Sequence, residues 1–355
     1  MHSLRDFPVS DLAGKKVFVR VDWNVPIAEG AVVDDFRMRA SIPTIEYLLN
    51  AGAEIQLATH LADKTFDTQV LFAYAVAHFG WEKYGGCVAM LPNLRANAGE
   101  EANDDSFARA LAKGIDLYVN DAFAVSHRAH ASVVGVPKYV PIACGGFLLE
   151  KEVRELSRVF TPEHPFVAVL GGAKFDTKLP LVRRFVEVAD TIFISGALCV
   201  EFFRSKGYEM GCSLASTAFH DVGEFLHNPK IRLPVDVVTQ SREVKTPESV
   251  GKDDMVLDVG PATLREMEES VKSAKLTVWN GPLGKYEDGF VEATDEFANM
   301  LAVAPGYSIL GGGDTIASLE KLNILDKIGF VSTGGGAMLD FLANKTLPGI
   351  EVLSK

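Results

Sequence analysis

The sequence lacks the long apolar runs that membrane-spanning helices and secretory signals need. No run approaches the roughly 18 apolar residues that indicate a spanning helix. The first residues, MHSLRDF, contain no hydrophobic signal region. We therefore expect a chain that works in the cytoplasm and has no membrane partner.

Cysteine is scarce, and its positions follow no CxxC spacing: Cys87, Cys144, Cys199 and Cys212. Each has apolar or small neighbours, as reduced thiols in a protein core do. This pattern argues against both a disulfide framework and a structural zinc site.

Positive charge is also in deficit. The chain has 35 Lys and Arg against 47 Asp and Glu, a net charge of −12 that argues against a nucleic-acid partner. Two common nucleotide motifs are missing, the P-loop GxxxxGK[ST] and the dinucleotide fingerprint GxGxxG with its later acid. An acidic protein can still bind anions where its cations converge, so the positions of the cations matter more than their number.

The chain does have ample size and a recurring glycine motif. With 355 residues and 48% hydrophobic composition it can bury the cores of two domains. Glycines after a strand let backbone N–H groups approach an anion, and a following helix points its positive dipole end at the same place. Three segments have this strand, glycine and helix pattern: residues 167–178 (VAVLGGAKFDTK), 307–319 (YSILGGGDTIASL) and 329–339 (GFVSTGGGAML).

Asp314 follows the glycines of the second segment, whose helix we predict to begin near Ile316. A carboxylate beside a polyphosphate has the same sign of charge, which is explained if it binds Mg2+ together with the phosphate oxygens. The alternative is that the glycines form only a tight turn and that Asp314 caps the helix.

The first half of the chain alternates strands and helices, and polar residues follow each strand. This order predicts a parallel sheet whose carboxyl edge collects positive side chains. A single surface arginine is ordinarily solvated, and His60 alone is as readily a structural histidine as a ligand. As a group they are typical of a site for a small phosphorylated carboxylate, because arginine binds oxyanions through two parallel hydrogen bonds. The residues are Arg20, Arg37, His60, Arg95 and Arg128.

An amphipathic pattern over residues 146–160 (GFLLEKEVRELSRVF) lies between two α/β blocks and predicts an interdomain helix. The domains are then residues 1–150 and 151–342, and we expect the tail 343–355 to pack on the first. Residues 207–228 are rich in loop formers. Two α/β lobes with parallel sheets are expected to face each other across a cleft, as in enzymes that join charged substrates away from water.

Ten stretches in order resemble the phosphoglycerate kinase family over nearly the whole chain: VRVDWNVP, FRMRASIPTIEYLL, LPNLRANAGEE, YVNDAFAVSHRAHAS, GGFLLEKE, LGGAKFDTK, VWNGPLGKYE, LGGGDTIASLEK, STGGGAMLDFL and LPGIEVL. The resemblance implies two Rossmann-like lobes, the first for phosphoglycerate and the second for a Mg2+-nucleotide. It also implies a monomer that moves a phosphoryl group between 1,3-bisphosphoglycerate and ADP, giving 3-phosphoglycerate and ATP.

The same resemblance assigns residues to both substrates. Those for phosphoglycerate are Asp22, Asn24, Arg37, His60, Arg95 and Arg128. Those for ATP or ADP are Lys174, Lys178, Asn280, Glu287, Gly311, Gly312, Gly313, Asp314 and Thr315. In this assignment Asp314 binds the Mg2+, Glu287 binds the ribose hydroxyls, and the backbone of Gly334, Gly335 and Gly336 meets the phosphoryl group in transfer. Read alone, Asn280 is also an ordinary turn residue and Glu287 a solvated acid.

The chemistry of this reaction needs no general base, because the acceptor is already a carboxylate. It needs charge neutralisation and in-line positioning of a loose transition state. We assign this catalytic work to Arg37, Lys178 and Gly335.

The chain departs from the family at THLADKT, where members usually have SHLGRPKG. Asp63 stands where an anion-binding arginine is expected, which predicts a weaker hold on phosphoglycerate unless Lys64 takes its place. The segment 61–92 is short, so we expect one strand fewer in the first sheet. Ser195 and Gly196 replace paired glycines, which leaves the preferred nucleotide base open.

Three hypotheses follow. The first is an active kinase. The second is a degenerate family member that binds phosphoglycerate or nucleotide without turnover, because of the missing arginine. The third is an NAD-dependent oxidoreductase on a similar fold, which would lack the dinucleotide fingerprint.

Overall fold

The computed structural model describes residues 1–214 and 222–354. Contacts divide the chain into two compact units: unit 1 comprises residues 1–154 with 346–355, and unit 2 comprises residues 155–345. Each unit contains a parallel sheet and helices, which confirms the predicted α/β class. Of the predicted loop-rich segment 207–228, residues 215–221 lie outside the described part.

Unit 1 alternates strands and helices along the chain. Its strands are β1 (Lys16–Val21), β2 (Ile27–Ala28), β3 (Ala31–Val32), β4 (Glu54–Ala58), β5 (Val88–Met90), β6 (Leu117–Asp121) and β7 (Ile142–Gly145). Its helices are α1 (Phe36–Asn50), α2 (Gln69–Phe79), α3 (Ala98–Glu101) and α4 (Asp105–Ala112). A parallel sheet has the order β5-β4-β1-β6-β7, and β2 and β3 form a separate hairpin.

The sequence of β1, KVFVRV, explains its central place in this sheet. All of its residues after Lys16 are buried, as expected for a parallel strand that is covered on both faces. A hydrophobic core cluster surrounds it and includes Trp23, two residues beyond the end of the strand. The chain is therefore anchored firmly where β1 ends.

The helix α5 (Phe147–Ser157) follows β7 and continues as a 3-10 turn, Arg158–Phe160. It occupies the segment where the sequence predicts an interdomain helix. The boundary between the two units falls inside it, between Arg154 and Glu155.

Unit 2 repeats the alternation. Its strands are β8 (Phe166–Leu170), β9 (Thr191–Ile194), β10 (Ile231–Arg232), β11 (Val237–Thr239), β12 (Val244–Lys245), β13 (Val256–Val259), β14 (Leu276–Asn280), β15 (Tyr307–Gly311) and β16 (Phe330–Val331). Its helices are α6 (Phe175–Val188), α7 (Gly196–Ser205), α8 (Pro261–Ser273), α9 (Glu292–Val303), α10 (Gly313–Lys321) and α11 (Gly335–Asn344). The tail returns to unit 1 with a short helix, α12 (Pro348–Glu351).

The main sheet of unit 2 has the order β10-β9-β8-β14-β15-β16, with all pairs parallel. If only the strands of each main parallel sheet are counted, the first lies between the second and the fourth in both units, namely β1 between β4 and β6, and β8 between β9 and β14. Rossmann folds have this arrangement, and their ligands bind beyond the carboxyl ends of the strands. The strands β11, β12 and β13 lie outside this main sheet and form a small antiparallel sheet with the order β12-β11-β13. Within residues 1–214 and 222–354, none of the helices is both long and apolar enough to traverse a bilayer.

Candidate active site

The carboxyl edge of the unit 1 sheet carries the predicted substrate residues. Asp22 follows β1, His60 follows β4, and Arg95 and Arg128 lie on the loops after β5 and β6. Because these strands are parallel, the loops after them emerge at one edge. The charges of Arg95 and Arg128 both lower the pKa of His60, in agreement with positions of all three at this edge.

The loop after β1 holds Asp22 and Arg37 in a fixed geometry. Arg37 Nη1 donates to Asp22 Oδ2 at 3.0 Å and to the carbonyl of Asn24 at 3.3 Å. Between them, fully buried Trp23 donates its Nε1–H to Ser41 Oγ at 2.8 Å. Asp22 Oδ1 is buried and has no hydrogen-bond partner among the described residues, so it is free to accept from a ligand.

His60 is buried at this edge and is neutral. Burial lowers its pKa far below the ordinary value, and the charges of Arg20, Arg95, Arg128 and His130 lower it further. Arg20, which the sequence suggests for the edge itself, lies inside β1 and is fully buried. It reaches His60 Nδ1 from behind, with Nη2 at 3.2 Å.

The positive charges of the arginines at this edge affect one another. The pKa of Arg95 is lowered by burial and then by Arg128, while Glu101 opposes both effects. Fixed cations held this close are unfavourable without an anion, so the arrangement suits a ligand with several negative oxygens.

Lys64 does not occupy the place of the missing arginine as a free cation. Its Nζ lies 2.7 Å from Glu101 Oε2, and Glu101 Oε1 lies 3.4 Å from Arg95 Nε. Asp63 is turned into its own loop, where its Oδ1 accepts from the Thr65 N–H at 2.9 Å and from the Thr65 hydroxyl at 2.7 Å. Lys64 therefore reaches the arginine cluster only indirectly, through Glu101.

Two asparagines hold the loop after β4, and the second was not predicted as a site residue. Asn24 Oδ1 accepts from the N–H of Ala62 at 3.0 Å. Asn93 Oδ1 accepts from the N–H of Leu61 at 3.1 Å, and its Nδ2 donates to the carbonyl of Asp63 at 2.9 Å. Asn93 follows strand β5 in the sequence LPNLR, and a polar residue just after a strand was the available signal for it.

Unit 2 brings β8 and β14 into contact at their carboxyl ends. The N–H of Gly171 donates to the carbonyl of Asn280 at 3.0 Å. A Cβ at Gly171 would lie 2.1 Å from the carbonyl oxygen of Pro282, so a side chain cannot be accommodated there. Asn280 itself is buried, and its carbonyl, as the acceptor of this hydrogen bond, joins the ends of the two strands.

Lys178 lies on α6 beside this contact. It is buried, and its ammonium group donates to the carbonyl of Gly171. Burial, and then the charge of Lys174, lower its pKa, and Asp314 opposes them, so that the resulting pKa is about 8. These mutual effects place Lys174, Lys178 and Asp314 in one neighbourhood.

The turn after β15 differs from the prediction in one respect. Helix α10 begins at Gly313 instead of near Ile316, so Asp314 and Thr315 lie in its first turn. Gly312, with φ of 112°, is the N-cap, and the cap has no side-chain hydrogen bond. The alternative of Asp314 as the helix cap is therefore wrong.

The turn after β16 packs against the turn after β15. A Cβ at Gly335 would lie 3.2 Å from Gly312 Cα. The N-termini of α10 and α11 thus converge, which concentrates two positive dipole ends at one place. The N–H of Gly334 donates to Ser332 Oγ at 3.2 Å, so it is engaged within the turn.

The residues around Asp314 suit a hard divalent cation. Asp314 is exposed in the first turn of α10, and Thr315 Oγ1 beside it is buried with no hydrogen-bond partner in residues 1–214 and 222–354. In that same part of the chain, no group of three or more His, Cys, Asp or Glu could enclose a metal. One carboxylate with phosphate oxygens is the usual environment of Mg2+.

Glu287 lies on a different loop from the glycine turns. It is exposed on the 3-10 turn Tyr286–Asp288. This loop is tied to the small antiparallel sheet, because the N–H of Lys285 donates to the carbonyl of Leu257 at 2.7 Å. Arg242 adds a hydrogen bond to the carbonyl of Gly289 at 2.9 Å.

Comparison with known proteins identifies relatives across the whole chain. The model of the phosphoglycerate kinase family matches residues 4–78 and 75–345. A phosphoglycerate kinase of Borrelia garinii subsp. bavariensis is 40% identical over 392 aligned residues, which cover 99% of both chains. The two stretches of the family match meet within the segment 61–92, and the alignment is longer than this chain, so the relative has stretches that this chain lacks.

Solved structures agree. The structure of phosphoglycerate kinase from Coxiella burnetii aligns with a TM-score of 0.87 and 33% identity, covering 99% of this chain and 98% of that one. The phosphoglycerate kinase of Pyrococcus horikoshii aligns with a TM-score of 0.83 and 31% identity, covering 100% and 98%.

Proposed function

The chain belongs to the phosphoglycerate kinase family, and from this premise we propose that unit 1 binds the phosphoglycerate and unit 2 binds the Mg2+-nucleotide. The chain is a phosphotransferase with a carboxyl group as acceptor, and its reaction interconverts 1,3-bisphosphoglycerate and ADP with 3-phosphoglycerate and ATP. The match over nearly the full length favours an active kinase over a degenerate binder.

The arginine cluster of unit 1 carries the substrate assignment. Asp22, Asn24, Arg37, His60, Arg95 and Arg128 are proposed to bind 3-phosphoglycerate, whose phosphate and carboxylate supply the anions that the cluster lacks. The cluster suits the phosphate and the carboxylate, because the charge of Arg128 lowers the pKa of Arg95 and a bound anion would offset this repulsion. Asp22 Oδ1 supplies a buried acceptor for a substrate hydroxyl.

The converging glycine turns of unit 2 carry the nucleotide assignment. Gly311, Gly312, Gly313 and Thr315 are proposed to hold phosphate oxygens at the N-terminus of α10, with Lys174, Lys178 and Asn280 beside them. The support is the contact between the Gly312 and Gly335 turns, which directs two helix N-termini at one anion. Glu287 is proposed for the ribose hydroxyls on its exposed turn.

Mg2+ is proposed to bind at Asp314. When bound, the cation would neutralise the phosphate charge and orient the transferring group. The exposed carboxylate and the unpartnered hydroxyl of Thr315 support this assignment.

Transfer is proposed to depend on Arg37, Lys178 and Gly335. Arg37 uses Nη1 to hold Asp22 and Asn24, which leaves its other donors for the acceptor carboxylate. Lys178 carries a charge near the nucleotide turn, and the N-terminus of α11 at Gly335 supplies backbone donors. These groups neutralise charge on the transferring group and hold the reactants in line, which is what phosphoryl transfer needs.

The setting proposed for this enzyme is the cytoplasm, where it works as a monomer without a nucleic-acid partner. Its four cysteines are free thiols, as in reducing compartments, although only Cys144 and Cys199 are buried, and the prediction of core thiols is wrong for exposed Cys87 and Cys212. Its net charge of −12 disfavours nucleic acid, and one chain supplies residues for both substrates. Sedimentation of the purified chain at assay concentration checks the monomer, and a dimer would contradict it.

A crossed kinetic experiment tests the division between the units. Arg128→Met should raise KM for 3-phosphoglycerate about 10- to 100-fold, the loss expected for a charge-assisted hydrogen bond, and leave KM for ATP unchanged. Asp314→Asn should weaken the binding of Mg2+-ATP, so that its KM rises, and leave KM for 3-phosphoglycerate unchanged. Arg109→Met, which removes an exposed arginine of α4, is the matched control. An Arg128→Met enzyme with altered KM for ATP alone would contradict the assignment.

A further inference from the structure

A buried row of hydrogen bonds runs behind His60, on the side of the unit 1 sheet edge away from solvent. It consists of Glu100, Ser132 and Arg20, which are all fully buried, and it ends at His60, which is 3% exposed. Buried polar groups without partners are costly, so a complete row of this kind fixes the direction of every hydrogen bond in it.

The direction is set at Glu100. Its Oε1 lies 2.6 Å from Ser132 Oγ, and its Oε2 accepts from the N–H of Ser132 at 2.9 Å. A carboxylate can only accept, so the Ser132 hydroxyl donates its hydrogen to Glu100. The lone pairs of Ser132 Oγ are then available to Arg20, whose Nε donates to this oxygen at 2.8 Å.

Arg20 determines which ring nitrogen of His60 accepts a hydrogen bond. A guanidinium has five N–H donors and no acceptor, so at 3.2 Å its Nη2 requires that His60 Nδ1 accepts. A competing tautomer would place the hydrogen on Nδ1 and direct it at Asp22 Oδ1, but that oxygen is 3.6 Å away. This distance is beyond hydrogen-bond range, so the contact with Arg20 decides the tautomer.

The surroundings also keep the ring neutral. Burial and the charges of Arg20, Arg95, Arg128 and His130 lower the pKa of His60. Acids also stand near these groups, since Asp22 is 3.6 Å from His60 and Glu100 is 3.8 Å from His130, but the cations outnumber them.

We propose that Arg20 is a positioning residue that holds His60 as the neutral Nε2–H tautomer, with Glu100 and Ser132 holding Arg20 in turn. His60 then donates from Nε2 to the anionic substrate and keeps the same protonation state across the working pH range. The functional part of this proposal rests on His60 binding phosphoglycerate as proposed above.

The wild-type protein tests the tautomer without any mutation in the row. Nitrogen-15 NMR of the histidine rings distinguishes a protonated nitrogen from a bare one, and a His60→Gln spectrum assigns the signal among the 8 histidines. We expect a bare Nδ1 and a protonated Nε2 from about pH 8 down to about pH 5.5, well below the ordinary histidine pKa near 6.5. A protonated Nδ1, or titration near the ordinary value, would overturn the proposal.

Kinetics test the role of Arg20. Arg20→Met frees Nδ1 to take a proton and to pair with Asp22, so KM for 3-phosphoglycerate should become pH-dependent between about pH 5.5 and about pH 8. Arg20→Lys keeps a donor and should restore the flat profile. In a His60→Gln background, Arg20→Met should change KM by less than about 2-fold, because coupled residues do not add.

A purely structural role for Arg20 gives a different result. Arg20→Met would then change KM for 3-phosphoglycerate by the same factor with and without His60. Arg20→Lys would also fail to restore the flat dependence of KM on pH. If His60→Gln alone leaves KM unchanged, the binding role of His60 is wrong, whereas the tautomer is still decided by the NMR signal. If Arg20→Met does not fold, the wild-type spectrum alone decides.

Discussion

At the residue scale, we propose that Lys64 affects substrate binding indirectly, without touching the ligand. Its ion pair with Glu101 is exposed, and Glu101 also lies near Arg95. In this proposal Lys64 partly neutralises Glu101, which without Lys64 would interact more strongly with Arg95 and compete there with a substrate phosphate. The lysine is thus a weak and indirect substitute for a bidentate arginine.

Removing Lys64 tests this indirect role. Lys64→Ala should raise KM for 3-phosphoglycerate about 2- to 5-fold, the scale of an exposed ion pair. Glu101→Gln in the same background should reverse the rise. Lys272→Ala, which breaks an exposed pair with Glu268 on α8, is the control. An unchanged KM in Lys64→Ala would show that Lys64 has no part in binding.

Lys178 gives a second prediction at the residue scale. Its pKa of about 8 means that it is charged below that pH and loses its charge above it. We therefore expect kcat/KM for ATP to fall as pH rises through about 8. Lys178→Arg stays charged, so its relative profile should be flat there, whatever its absolute rate. The same alkaline decline in both enzymes would assign the titration to another group.

At the scale of elements, the start of α5 depends on a buried acid. Asp121 ends β6, and its Oδ1 accepts from the N–H groups of Leu148 and Leu149 in the first turn of α5, at 2.9 and 3.4 Å. A Cβ at Gly146 would lie 2.2 Å from this oxygen, so glycine is needed where the chain enters the helix. Burial raises the pKa of Asp121 to about 7.

This shift has a definite sign. The folded protein keeps a proton on Asp121 that the unfolded chain releases above its ordinary pKa of 3.8. The bound proton therefore adds to the free energy of unfolding at low pH. This contribution declines as pH rises from about 4 to about 7 and is lost above that range.

Asp121→Asn removes the titration and keeps an acceptor for α5. The free energy of unfolding of the variant, relative to wild type, should therefore rise by up to about 1.4 kcal/mol per pH unit between about pH 4 and about pH 7. Denaturant unfolding at several pH values measures it. Parallel pH profiles for the two proteins would contradict the burial of this charge.

Elements also show where sequence patterns reach their limit. Local sequence defines some elements clearly: the strand Phe166–Leu170 is an unbroken apolar run, and the helix Pro261–Ser273 begins at a proline. The start of α10 was set three residues too late, because glycines and polar residues mask a first helical turn. The helix Glu292–Val303 was not predicted, since small residues such as Ala293 and Ala298 make up much of its buried face and give a weak apolar pattern.

At the scale of the whole molecule, both units repeat one plan. Each has its own hydrophobic core cluster and a main parallel sheet, and the order of the strands corresponds between the two sheets. Candidate residues follow the strands in both. The sequence could predict this plan and the residues that follow the strands, because those are local patterns. It could not predict the burial of Arg20 within β1, the Lys64 and Glu101 pair or the contact of Gly335 with Gly312, because these depend on packing between distant segments.

The roles proposed for the sites depend most directly on Arg37. The decisive measurement is steady-state phosphoryl transfer from ATP to 3-phosphoglycerate with Mg2+, for wild type, Arg37→Ala and Arg39→Ala. Arg39 lies two residues further along α1, is exposed and pairs with Asp35, so it controls for loss of an arginine from this helix. We predict active wild type and Arg39→Ala enzymes, and an Arg37→Ala enzyme whose kcat is lower by about 10²- to 10³-fold. Unchanged turnover in Arg37→Ala would contradict the proposed site.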